Sequence, residues 1–110
     1  MIIATRSLVL HSANRDIEIP ISVYAPERVN VDWICRFEIK WPEGKAERWG
    51  AGVDAVQALV LAMEMIGAEI NTSRHHESGH LKWLETGRGY GFPVPNGIRD
   101  LLVGDDKKFF

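Results

Sequence analysis

Cys35 is the only cysteine among the 110 residues, so an internal disulfide is excluded and a reducing compartment is implied. An excess of one charge is missing too. Thirteen Lys and Arg stand against 15 Asp and Glu, a formal net charge of −2. That balance gives no electrostatic footprint for nucleic acid or for an anionic membrane surface. The longest apolar stretch is broken by Glu64 and Glu69 and is too short to span a bilayer. The opening Met1–Arg6 lacks a basic region followed by a long apolar run, so no secretory signal is expected, and a bacterial-type cytoplasm is the expected location. There is no internal repeat, no low-complexity segment and no serine in a G-x-S-x-G elbow.

What is present is an ordinary globular composition, 45% apolar and 25% charged, in a chain long enough to bury a core without disulfides or metal. Residues 1–110 are therefore read as one domain. The clearest element runs from Asp54 to Ile70. Asp54 is a good N-cap and Gln57, three residues on, can reach back toward the cap amide. At 100° per residue, Ala55, Leu59, Met63, Ile66 and Ile70 share one side. Burying the four larger ones contributes roughly 1.5–3 kcal/mol each. The opposite side is thinly polar, with Val60, Leu61 and Met65 on or beside it. Cover by the C-terminal segment or by a partner is implied.

Ahead of this helix the pattern has period two. Ile2–Leu10 is rich in β-branched residues, and Asp16–Ala25 alternates Ile17, Ile19, Ile21 and Val23 with polar positions. Pro20 marks that strand as an edge or as bulged there. Pro26–Asn30 reads as a loop. Asp32–Trp41 alternates again, Pro42–Lys45 is a hairpin turn, and Ala46–Ala51 returns. After the helix, Thr72–Gly79 is a polar connection, His80–Leu84 a short strand, and Ile98–Val103 a helical turn or strand before a mobile charged tail. The sum is an α+β fold: an antiparallel sheet of about four to six strands, one main helix packed on one face, in β-β-β-β-α-β order.

Reactive groups do not cluster convincingly. His75, His76, His80 and Glu77 fall within one short segment, and imidazole suits zinc, nickel or copper. Their spacing matches no ligand motif, and adjacent histidines diverge on any regular backbone, so a solvated turn is the plainer reading. Gly87–Pro93 superficially suggests a phosphate loop, but Pro93-Val94-Pro95 follows where a helix would be needed. Cys35 shares an apolar strand face with Trp33 and Phe37 and reads as a small hydrophobe.

Three blocks, Gly52–Leu59, Ile66–Glu69 and Gly89–Pro93, resemble a family of small uncharacterised bacterial proteins defined only as a domain of unknown function. The helix block is also similar to one found in immunity proteins of polymorphic toxin systems. Neither resemblance carries catalytic residues. The expected function is a non-enzymatic protein-binding or interaction module, of immunity type at its most specific, with a protein partner or a homodimer, no nucleic acid and no membrane. Its expected contacts are Trp49, Leu61, Met65, Arg88 and Tyr90. No cofactor is implied. The alternatives are a small metal-binding protein or metal-dependent enzyme using His75, His76, His80 and Glu77, and an apolar-ligand pocket between sheet and helix.

Overall fold

A computed structural model describes residues 1–110. β1 (Ile2–Ser12) and β2 (Arg15–Tyr24) form a hairpin around Ala13-Asn14, which pairs Leu10 with Ile17, Leu8 with Ile19 and Arg6 with Ile21. β3 (Glu27–Val29) leads through Asn30-Val31 into β4 (Asp32–Trp41), and β5 (Gly44–Gly52) folds back on β4 around Pro42-Glu43. β5 takes one edge of β4; β2 and then β3 share its other edge. The short β6 (Leu81–Lys82) pairs with β1 at Val9 and Leu10. The result is a six-stranded, wholly antiparallel sheet.

Pro20 lies just outside the β2–β4 ladder, which begins at Ile21, so only β1 runs alongside it. The segment expected as a loop, Pro26–Asn30, contains β3. Pro26 breaks the run from β2, and Asn30, at φ 57°, turns the chain tightly back into β4. The three residues of β3, Glu27, Arg28 and Val29, are too few to show the alternation that betrays a strand.

The period-two pattern puts Leu8, Leu10, Ile19, Ile21, Cys35, Phe37 and Ile39 on one face, all buried. α1 (Ala55–Asn71) covers that face. Its cap forms as the sequence suggests, with Asp54 Oδ1 accepting the Gln57 N–H at 2.8 Å. The Gln57 side chain instead accepts from Val53 N–H at 2.7 Å, one residue further back than a capping box requires.

The buried stripe of α1 is rotated from the expected one. Ala58, Ala62, Ile66 and Ile70 are fully buried, whereas Ala55, Leu59 and Met63 are half-buried at the margin. Gly50 explains this. A Cβ there would lie 2.5 Å from the Ala62 nitrogen and 2.8 Å from the Ala58 carbonyl. The helix backbone therefore rests directly on β5, and only alanine fits between them. Close fit, rather than the larger apolar side chains, sets which face points inward.

After α1, one helical turn, α2 (Arg74–Glu77), forms where a polar connection was expected; the Ser73 hydroxyl caps it by accepting the His76 N–H at 3.1 Å. The expected strand His80–Leu84 shrinks to β6. A strap, Tyr90–Val94, then crosses α1 at Gly67, where a Cβ would meet the Pro93 carbonyl oxygen. The chain continues through a 3-10 segment, Asn96–Leu101, into α3 (Asp106–Phe109). The tail expected to be mobile is thus a helical turn that buries Asp106. The sheet face opposite α1 has no covering layer and carries charge: Glu38 lies between Lys40 and Lys45, at 4.0 and 3.8 Å. No helix is long and apolar enough to cross a membrane.

Candidate functional site

The densest set of specific polar contacts holds the strap. Arg6 lies on the inward face of β1, in line with Leu8 and Leu10. Its Nη1 donates to the carbonyls of Tyr90 and Gly91, each at 3.0 Å. Its guanidinium lies 3.8 Å from the Trp83 ring centre and 4.9 Å from that of Phe92. Burial lowers the Arg6 pKa, and the nearby Asp106 charge opposes that shift. From the other side the Asp106 carboxylate, only 3% exposed, accepts Tyr90 N–H at 2.7 Å and Gly91 N–H at 2.9 Å. One peptide stretch is therefore gripped by its carbonyls and its amides at once.

Tyr90 is buried, and its hydroxyl lies 2.5 Å from His76 Nδ1 and 3.5 Å from the Leu81 carbonyl. The hydroxyl has one proton, and the much shorter contact takes it. Burial, with the Asp106 charge adding to it, pushes the phenol up to about 12, so it stays a donor at neutral pH. His76 then accepts through Nδ1 and is neutral; burial lowers its pKa, with Glu77 opposing. Its folded pKa lies below the ordinary imidazole value of 6.5. The unfolded chain consequently binds the extra proton first on acidification. Stability from this group is present above about 6.5 and is lost as pH falls toward the lowered folded value. His76→Gln is expected to flatten that part of the stability-versus-pH curve, measured by urea unfolding at about pH 7 and about pH 5.5. An unchanged slope would remove His76 from the account.

The other histidines point elsewhere. His75 bonds Glu43 at 2.8 Å and stacks on Trp41 with ring centres 5.2 Å apart. His80 is exposed and Glu77 is exposed. No group of three or more His, Cys, Asp or Glu side chains is placed to hold a metal ion. The metal alternative built on His75, His76, His80 and Glu77 is corrected accordingly: the helical turn directs His75 to Glu43 and His76 to Tyr90, and His80 lies beyond the turn, exposed. His11 pairs with Asp16 at 2.5 Å, but no serine or cysteine bonds its ring. The Cys35 thiol is buried, donates to the Tyr24 carbonyl at 3.3 Å, and burial raises its pKa, the opposite of an activated nucleophile.

The five expected contact residues do not form one surface. Trp49 stands exposed beside Arg36 on the open sheet face, away from α1. Leu61 is exposed on α1, and Met65 is half-buried near Arg48 and Glu69. Arg88 is exposed and donates to Asp105 at 3.0 Å. Tyr90 is buried in the strap lock and has no free surface. The space between sheet and helix, bordered by Ile21, Val23, Met63 and Phe92, is only about 70 Å³, too small for the apolar ligand considered above.

A larger cavity, about 450 Å³, opens beside the lock and is lined by Trp83, Leu84, Arg88, Asp105, Asp106 and Phe109 among others. At its mouth Glu85 N–H donates to the Trp83 carbonyl at 2.7 Å, a three-residue turn centred on Leu84 at φ 64°. A leucine there is strained, by an amount on the order of 1–3 kcal/mol. Its side chain is 75% exposed, so burial does not offset the strain.

Residues 4–94 match the family described as "Domain of unknown function (DUF6968)". The chain belongs to that family. The matched span takes in nearly the whole sheet, α1 and the strap of this DUF6968 protein, while Asp106 and α3 follow it. No curated protein and no solved structure matches the chain. Sequence reasoning missed Arg6 and Asp106. A signal for Arg6 was present, since it occupies an inward position of an apolar strand and so needed a buried partner. Asp106 stands in Asp105–Lys108, which reads as plain solvated charge.

Proposed function

We propose that this DUF6968 protein is a non-enzymatic interaction module that binds a protein partner along α1. The observation that carries the reading is a bare apolar line on the helix. Val56 and Val60 are 69% and 50% exposed. They lie on the flank that the strap crosses at Gly67, about three and two turns before the crossing. The strap covers the C-terminal part of that track and leaves its N-terminal part open, with exposed Val53 extending it. Valine is a mediocre helix former, so its recurrence at solvent positions is not explained by helix propensity. His11, His75 and His76 are meanwhile engaged in separate pairs with Asp16, Glu43 and Tyr90.

Leu61, about 100° round α1 from Val60, widens the proposed surface; Met65 and Trp49 face other directions and lie outside it. An immunity-type role is the specific form suggested by the helix block, and co-purification with a toxin encoded beside it is the check. More generally, Val60→Glu is expected to leave stability within about 0.5 kcal/mol, as for other surface changes, and to abolish partner capture. Native mass spectrometry of tagged protein recovered from its own cells, wild type against variant, reads this out. A wild-type protein that stays a lone monomer and turns over a substrate would overturn the proposal; a homodimer lost in the variant would assign the surface to a second copy.

A further inference from the structure

We propose that the cavity beside the strap lock is a binding site for a small aromatic cation, a flat ring system bearing a protonated amine. This goes beyond the α1 reading and stands independently of it. The size fits: about 450 Å³ lies within the range of small-molecule sites. The walls are flat and apolar where the Trp83 indole and the Phe109 ring line the space, and Leu84 stands at the rim. The charge leans negative. Glu85, Asp105 and Asp106 contribute three carboxylates against the Arg88 guanidinium on the lining, and Arg6 behind it offsets Asp106.

The individual atoms decide where the amine goes. Both oxygens of Asp106 already accept strap amides. Arg88 spends Nε and Nη2 on a single oxygen of Asp105, Oδ2, at 3.3 and 3.0 Å. Asp105 Oδ1 therefore remains to accept from an ammonium group, with the more distant Glu85 carboxylate, 3.5 Å from Arg88 Nη1, adding to the field. The indole is not the main cation binder, because Arg6 already occupies a ring face at 3.8 Å. Its role is to stack against the ligand's ring, as Phe109 does. Two exposed apolar side chains at one rim, one of them held in a strained left-handed turn, are hard to explain as packing and are explained by a ligand that covers them.

Tryptamine is a suitable probe and indole-3-acetate, with the same ring and opposite charge, its control. In a titration of the 15N-labelled full chain, tryptamine is expected to shift the Gly89 and Gly91 amides and the Trp83 indole N–H, saturating with Kd of about 1 mM or tighter. Indole-3-acetate should bind at least about tenfold more weakly. Asp105→Asn should weaken tryptamine about fivefold. Leu84→Gly relieves the strained turn, and Phe109→Ala alters an exposed side chain, so both should fold and both should weaken binding by a similar factor. No saturable shift by about 10 mM, equal binding of the two probes, or affinity unchanged in all three variants would overturn the proposal. Should Asp105→Asn fail to fold, Glu85→Gln replaces it, with a smaller expected loss.

Discussion

Gly67→Ala is expected to destabilise the protein by about 3 kcal/mol, although the same change in a bare helix would stabilise it by about 1 kcal/mol. The sign reverses because a Cβ at Gly67 would overlap the Pro93 carbonyl oxygen and press on a Val94 methyl at 3.0 Å. Neither neighbour is the free end of a flexible side chain. The strap must lift, and lifting it exposes Tyr90, Phe92 and Val94, all now buried. Urea unfolding gives the stability difference. Amide exchange then shows whether Tyr90 and Gly91 lose protection while Phe37 in β4 keeps it. A variant as stable as wild type would mean that the strap does not seat on the helix.

The second large effect concerns Asp106. Asp106→Ala removes the acceptor for two strap amides and the negative charge nearest Arg6. Leaving such donors unpaired, partly buried, amounts to a loss of about 2–4 kcal/mol. Asp106→Asn keeps one acceptor oxygen and should fall between wild type and alanine. Arg6→Met acts on the carbonyls of the same two residues, so the Arg6 and Asp106 changes should not add. A double-mutant cycle is expected to show about 1 kcal/mol or more of coupling through the strap. Strict additivity would show that the two residues hold separate structures.

These two residues also mark how far the sequence could be read. Strand positions followed directly from alternation, since Ile19, Ile21, Phe37 and Ile39 obey a strict period of two and do face inward. The Asp54 cap named the start of α1, and the α+β arrangement with one main helix followed. Rotation of α1 was not legible, because it depends on Gly50 meeting Ala58 and Ala62 across a contact with no sequence periodicity. β3 escaped because three exposed residues between Pro26 and Asn30 are too short a run to show a period. At the candidate site, Tyr90 and Arg88 were singled out as sticky surface types, yet one is buried and the other is paired with Asp105. Residue type suggested an interface; only the fold could show that Tyr90 turns inward to His76. Asp106 was invisible in a run of mixed charge because burial there is a consequence of α3 docking, not of composition.

The strap lock sets a timetable for folding. Arg6 and the carbonyls it grips are 84 and 85 positions apart along the chain. The β1–β2 and β4–β5 hairpins need only nearby residues and can zip early, whereas this clasp waits for nearly the entire polypeptide to arrive. Until then an arginine sits on the greasy side of a new sheet with nothing to hold. Pulse-labelled exchange during refolding should find the Leu8 and Ile19 amides shielded first and those of Tyr90 and Gly91 last, so that the molecule closes from its middle and is fastened at its ends.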